Sequence, residues 1–391
     1  MIYLFIYLFK DKVVLYSIIQ HNNMERNWYC NIPDSIDKKL SRKLHLQKNH
    51  PIEIMKRKIY DYFLNLSGKS FQVFDDLSQI VSIEDNFDKL LIPQDHPSRS
   101  KSDTYYINQN YVLRTHTSCH QNELLSQGVT SFLVTGDVYR KDEIDSKHYP
   151  VFHQMEIVSL VEDGQNPEEE LKRLLSGLVE HLFPGCEYRF NSDYFPFTDP
   201  SFEIEVLFRG KWLEILGCGV MQPKILEGNG IQNRKGIACG LGLERLVMIM
   251  TDIPDIRYLW STHERFLNQY SDGKLNKFIH YSELPSQNRD ISFYVSKEEL
   301  EIDDCHNQKK WFLENDFFEI LRDNSGELME EVALSDSFYN KKLNKYSRTY
   351  RLTYSPNDPS MKDPGEFFKM VNDIQDRIRD IVNNKMRIEL R

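Results

Sequence analysis

The sequence predicts an α+β protein, an antiparallel sheet flanked by helices with a second, smaller α+β unit at its C-terminal end. Four observations carry this. Phe202, Ile204, Val206 and Phe208 alternate with Glu203 and Glu205, the period-2 pattern of a half-buried strand. Arg209-Gly210 then turns the chain back into Trp212 to Leu216, and strands joined by so short a turn pair antiparallel. Leu171, Leu174, Leu175, Leu178, Val179 and Leu182 recur at helical spacing along one stripe. Finally, a polar and weakly patterned stretch from Asn268 to Lys277 separates these segments from a new series of strand-like and helical runs.

In chain order, residues 1–30 read as a leader or extension. Met1 to Phe9 is almost wholly apolar, broken by Lys10, Asp11 and Lys12, and too short and interrupted for a membrane span. It fits the apolar stretch of a signal-like leader better than an Arg-rich amphipathic presequence. Residues 31–265 form the first unit. Phe132 to Val134 and Val151 to Val158 read as strands of a hairpin, with Asp145 to Pro150 between them rich in turn-formers. The helix starting at Pro167 has Asn166 as its cap, Pro at its first position and Glu168 to Glu170 opposing the dipole, and Pro184-Gly185 ends it. Gly236 to Gly242 is a Gly-rich strand that runs into an apolar helix. Residues 266–278 read as a linker and 279–391 as the second unit, with strands at 290–295 and 350–354 and helices at 316–321 and 364–383.

Composition narrows the function classes. Of 391 residues, 40% are hydrophobic and 28% charged, the balance of a globular chain that is neither disordered nor membrane-embedded. The net charge of −10 argues mildly against a nucleic-acid binder, although local patches decide that. Lys38 to Lys58 carries eight basic residues against Glu53, and Lys341 to Arg351 carries five with no acid. On charge alone both read as solvated faces. The six cysteines form no CxxC pair, so neither a zinc site nor a disulfide framework is expected, and no protein-bound metal cluster.

The chemistry gathers in two places. Arg140 follows an apolar strand and precedes Asp142, while Gln154 and Glu156 stand two apart on the returning strand and so share a face. An Arg fork can hold a phosphate bidentately, and a carboxylate can fix an ammonium. In the second place Gly240 and Gly242 allow close backbone approach ahead of Arg245 in the first helical turn. The spacing is not that of a dinucleotide-binding loop.

Together with His96-Pro97 and His116-Thr-Ser118, these elements resemble the class II aminoacyl-tRNA synthetases: an Arg-bearing motif 2 hairpin and a Gly-x-Gly-x-x-Arg motif 3 helix. More narrowly the chain resembles the phenylalanyl-tRNA synthetases. IPQDHPSRSKSDTYY from Ile92, LRTHTSCHQ from Leu113, GDVYRKDEIDSKHYPVFHQMEIV from Gly136, YFPFTDPSFEIEV from Tyr194, WLEILGCGVM from Trp212 and GLGLERL from Gly240 follow in the family's order. Residues from about 279 resemble the ferredoxin-fold anticodon-binding domain that the single-chain organellar form carries fused to its catalytic domain.

The resemblance implies an enzyme that activates L-phenylalanine with ATP and Mg2+ and passes it to tRNA(Phe) as a monomer. It also implies a mature form with no membrane contact, in the mitochondrion; the apolar leader offers a plastid-like organelle as the alternative. By similarity Arg140 binds the α-phosphate, Arg245 the γ-phosphate and Phe152 stacks on adenine. Asp142 stands where longer acids meet the adenine amine, and Ser146, Lys147, His148 and Tyr149 close over the nucleotide. Thr117, Ser118, Cys119 and His120, with His153, Gln154, Met155 and Glu156, match positions holding the amino acid's ammonium and carboxylate. Phe195 and Phe197 match the rings that meet the substrate ring. Glu214, Gly217, Gly240 and Gly242 line the same cavity, and Ala238 leaves room for the benzyl group. Cys239 departs from the family's usual Phe, an aromatic lost from the pocket region. The basic run Lys341 to Arg351 becomes an expected tRNA-backbone contact.

Overall fold

The computed structural model describes residues 29–280, 284–303, 308–356, 361–386 and 388–391; the expected leader lies almost wholly outside them. The first unit is built on a seven-stranded sheet. Its strands are β1 (Gln72–Phe74), β4 (Ser131–Tyr139), β5 (Val151–Leu160), β6 (Tyr188–Asp193), β7 (Thr198–Phe208), β8 (Lys211–Met221) and β9 (Gly236–Gly242), ordered β1-β4-β5-β9-β8-β7-β6. Only β1 pairs parallel, with β4; every other neighbour is antiparallel. A short antiparallel pair, β2 (Ile80–Ser82) and β3 (Tyr111–Leu113), lies beside it. The β7–β8 turn falls at Arg209-Gly210, both left-handed at φ 52° and 77°, the twist that a two-residue hairpin loop needs.

Three longer helices belong to this unit: α1 (Pro51–Asp61), α2 (Pro167–Leu182) and α3 (Leu243–Thr251). Asn166 caps α2, its side chain accepting from Glu168 N at 3.0 Å. The six apolar residues of its stripe are 0–4% exposed and press on one face of the sheet together with Met155, Ile157, Cys218, Cys239 and Leu241. Burial of that stripe is what holds the helix; its intrinsic propensity would not. The opposite face, carrying Gln154 and Glu156, is left uncovered at its centre.

Beneath the hairpin lies a buried ion pair. Arg114, 1% exposed, donates to Asp137 Oδ1 at 3.1 Å and to the carbonyls of Asp137, Leu77 and Ser78. The guanidinium packs against Gly136, where a Cβ would stand 1.8 Å from Nη2. Gly136→Ala should therefore displace a buried charge from its partner and cost about 3–5 kcal/mol, read as a lowered midpoint in urea unfolding.

The second unit has a three-stranded antiparallel sheet, β10 (Gln287–Val295), β14 (Lys345–Tyr354) and β13 (Met329–Asn340), and a small pair, β11 (Leu300–Asp303) with β12 (Gln308–Trp311). Helices α4 (Glu314–Ser325) and α5 (Pro364–Lys385) pack on the sheet, and Phe293, Trp311, Phe317 and Tyr350 fill the core between them. This unit docks on the β4–β5 loop. Ile144 of the loop is buried in its core, Val332 N donates to Ile144 O at 2.8 Å, and Lys141 pairs with Asp316 at 2.8 Å. The 266–278 stretch is not free: Phe266 and Tyr270 are fully buried against the first unit.

Candidate functional site

The uncovered sheet face forms a cavity of about 760 Å³ that runs between β8, β9 and the β4–β5 loop. Strand alternation decides which side chains it receives. On β5 the residues Phe152, Gln154 and Glu156 face it, whereas His153, Met155 and Ile157 face the helices. Across the ladder Gly240 opposes Glu156, and a Cβ there would sit 3.3 Å from the Glu156 carboxylate. Glycine at that rung keeps the sheet floor open.

One end of the cavity is aromatic. Phe195 and Phe197 lie parallel, their centroids 5.8 Å apart, and Phe195 rests on Gly217 so closely that a Cβ would meet the ring at 2.8 Å. Ala238 and Thr198 complete this end.

The middle is polar and buried. Glu156 is 2% exposed and accepts from Ser118 Oγ at 2.7 Å and from Gln121 Nε2 at 2.6 Å. Burial pushes its carboxyl up to about 8, against the pull of those two hydrogen bonds. A bound ammonium would counter that burial and favour the ionised carboxylate. Gln154 is oriented by the Thr117 N–H, which donates to its Oε1 at 3.2 Å.

The far end is cationic. Arg140 donates Nε–H to Thr115 O at 2.7 Å, and its guanidinium carbon lies 5.2 Å from the Phe152 ring centroid. That anchorage leaves the two Nη groups, with no carboxylate partner among the described residues, for a ligand. Beside it stands the buried His116, which faces the Arg140 charge. Burial first, and then the Arg140 charge, push the imidazole down to about 3, so it stays neutral. Arg245 is half-exposed and pairs with Glu214 at 3.0 Å. Lys147, His148 and Tyr149 of the β4–β5 loop form the roof, with Asp142 at its edge. Glu143, Asp145 and His148 could converge on a cation, but His148 Nδ1 is bonded to Asp145 Oδ2 at 2.7 Å and the loop turn accounts for the cluster.

Most of the expected residues meet here: Ser118, Arg140, Asp142, Lys147, His148, Tyr149, Phe152, Gln154, Glu156, Phe195, Phe197, Glu214, Gly217, Ala238, Gly240, Gly242 and Arg245. Others do not. His153 and Met155 point to the opposite face because they alternate with the lining residues. Cys119 and Ser146 fall outside the lining, Thr117 contributes its N–H, and His120 meets Arg114 Nη1 at 3.0 Å behind the site. Cys239 borders the cavity by its main chain, its thiol packed under α2 with Cys218 opposite it. The departure at that position therefore changes the core and not the ring pocket. Residue patterns gave no role to His116, Thr198 or Glu244. An acid beside Arg245 in the first turn of an apolar helix was the available signal for the last.

Of the basic run near the C-terminal end, Arg348 is buried against Glu314, Arg351 pairs with Asp290 and Lys345 with Glu389. Lys341 and Lys342 stay exposed at the β13–β14 turn beside exposed Phe338, Tyr339 and Leu343.

Comparison with known proteins places these features. Residues 35–270 match the family profile of the tRNA synthetases class II core domain (F), and residues 282–391 that of the ferredoxin-fold anticodon binding domain. The chain is 48% identical over 372 residues to phenylalanine–tRNA ligase, chloroplastic/mitochondrial, of Arabidopsis thaliana, covering 92% of this chain and 82% of that protein. It is 42% identical over 368 residues to the mitochondrial phenylalanine–tRNA ligase of Mus musculus, covering 83% and 79%. With the mitochondrial enzyme of Saccharomyces cerevisiae the identity is 34% over 443 aligned positions, covering 92% of each chain.

Proposed function

The chain belongs to the phenylalanine–tRNA ligase family of class II synthetases, and from that premise we propose how its cavity works. The protein activates L-phenylalanine with ATP and transfers it to tRNA(Phe). The observation that carries this is one cavity in which a ring-shaped apolar end, a buried carboxyl and an uncommitted guanidinium follow one another. The benzyl group lies against Phe195 and Phe197 with its edge toward Ala238. Its ammonium meets Glu156, which gives up its proton on binding, and Gln154. The carboxylate then faces Arg140 and neutral His116, where it attacks the α-phosphorus of ATP and expels pyrophosphate. Arg140 holds the α-phosphate oxygens and offsets the charge that builds on them, a term strengthened by exclusion of water. Phe152 stacks on adenine.

Arg245 takes the γ-phosphate, which frees Glu214 from its ion pair. A freed carboxylate on the cavity wall suits a hard cation, so Glu214 and the phosphate oxygens would hold magnesium, whose charge eases the departure of pyrophosphate. In the second step a ribose hydroxyl of the terminal adenosine attacks the adenylate carbonyl and AMP leaves. Positioning and charge stabilisation do most of this, without a strong general base. The exposed β13–β14 turn, with Lys341, Lys342 and its aromatics, offers cations for tRNA phosphates and rings for bases.

The reading further includes a monomer, divided into a catalytic unit 31–265, a linker 266–278 and an anticodon-binding unit 279–391, working in the mitochondrion or a plastid-like organelle. A fluorescent fusion of residues 1–30 would decide between organelles; a cytosolic signal would reject both. The central test is ATP–pyrophosphate exchange across the amino acids. Exchange driven by phenylalanine is expected, together with charging of tRNA(Phe). Well-folded protein that exchanges with no amino acid would overturn the reading.

A further inference from the structure

Phe152, the adenine shelf, and Gln154 are separated by His153, whose side chain points away from the cavity. Strand β9 ends at Gly242, opposite Gln154, and turns there into α3, so β5 loses its ladder partner on that edge from His153 backwards. Glu244, in the first turn of α3, takes the missing place. Its two oxygens accept the His153 N–H at 2.9 and 2.8 Å, and Oε1 also accepts from ring Nδ1 at 2.7 Å. Both residues are buried, at 3% and 0% exposure.

The ring extends the contact. It stacks on Trp260 at 5.8 Å, Trp260 stacks on Tyr149 at 5.3 Å, and Tyr149 lines the nucleotide end of the cavity. One residue thus steadies two parts of that wall: the shelf through its main chain and Tyr149 through its ring. A role in packing alone would be met by an apolar side chain, because a carboxylate taken from water must be hydrogen-bonded to be tolerated. Among the described residues, the hydrogen bonds to the carboxylate all come from His153.

We propose that Glu244 and His153 form a positioning unit that fixes the nucleotide-binding wall, Phe152 and Tyr149, relative to Arg140. Neither residue takes part in bond making. The proposal rests on the adenylation reading above. Gln154 is held separately, by the Thr117 N–H and by its rung with Gly242. The amino-acid end should therefore be less sensitive than the nucleotide end.

The test is steady-state ATP–pyrophosphate exchange with Glu244→Gln, which keeps the shape but turns an N–H2 group toward the His153 donors. KM for ATP should rise about tenfold and KM for phenylalanine by much less, the scale expected when a binding wall moves by a fraction of an ångström. Leu178→Ala, in the α2 stripe far from the nucleotide, serves as a variant destabilised without touching the unit, and its KM for ATP should stay at the wild-type value. His153→Asn, whose amide N–H can replace Nδ1–H, should keep a lower KM for ATP than His153→Ala. An unchanged KM for ATP in Glu244→Gln overturns the proposal, and so does an equal rise in Leu178→Ala. Should Glu244→Gln fail to fold, the His153 pair decides: equal KM values for Asn and Ala reject the unit. Wild-type protein without phenylalanine-dependent exchange would reject the adenylation reading itself, whereas normal exchange with insensitive variants would reject this inference alone.

Discussion

Arg140→Ala is expected to lower phenylalanine-dependent ATP–pyrophosphate exchange by about a thousandfold, with the loss mainly in kcat, because the guanidinium acts on charge that develops at the α-phosphate. The structure gives the reason for so large an effect. Nε is spent on Thr115 O, the plane lies near Phe152, and the remaining donors have no competing carboxylate among the described residues. The side chain is thus aimed before substrate arrives, and no reorganisation is needed at the moment of reaction. Arg140→Lys should recover little of the loss, since an ammonium cannot bond Thr115 and grip two phosphate oxygens together. A variant within tenfold of wild type would remove Arg140 from the centre of the reaction.

Glu156→Gln should separate activity from stability in opposite directions. Without the carboxylate the substrate ammonium has no counter-charge in a buried site, and KM for phenylalanine should rise about a hundredfold. The fold should gain. The Glu156 carboxyl is raised from 4.5 to about 8 by burial, so the unfolded chain ionises at lower pH than the folded one. Below about 4.5 both states hold the proton and the group is neutral to stability. As pH rises through that value the unfolded state alone loses it, and stability falls until the folded carboxyl ionises as well. Glutamine cannot ionise and escapes this penalty, for a gain on the order of 1–2 kcal/mol at pH 7.5 after allowing for its less suited amide. Urea unfolding should show the variant stabler than wild type at pH 7.5 and no longer stabler at pH 4.5, where only the cost of the amide remains. In wild type, KM for phenylalanine should fall as pH rises toward 8, because binding then no longer has to drive off a proton. Equal stabilities at pH 7.5 would mean that the carboxyl is not held protonated.

How far the sequence reached can be followed residue by residue. The α2 stripe, its Asn166 cap, the Arg209-Gly210 hairpin and the Gly-rich strand that enters a helix were all legible, because each is a local pattern with one physical solution. So was the sharing of one face by Gln154 and Glu156, which follows from a period of two. The same period, applied to the neighbouring residues, already contained the outward turn of His153, Met155 and Cys239. Matching by motif grouped these with the ligands because a motif records adjacency along the chain and not direction across a sheet.

The sequence by itself determined the α+β architecture, the order of the motifs and the chemical classes present: an arginine at a strand end, a carboxylate on the returning strand and a pair of aromatic rings. Only the tertiary structure decided which of those groups face one another. It brought His116 beside Arg140, laid Glu244 along the unpaired edge of β5, drew Glu156 far enough from water to raise its pKa, and lodged the β4–β5 loop in the second unit. Periodicity and turn chemistry are set by backbone geometry within a few residues. Burial, pKa and partner choice depend on atoms tens or hundreds of residues away, and those become neighbours only when the sheet assembles.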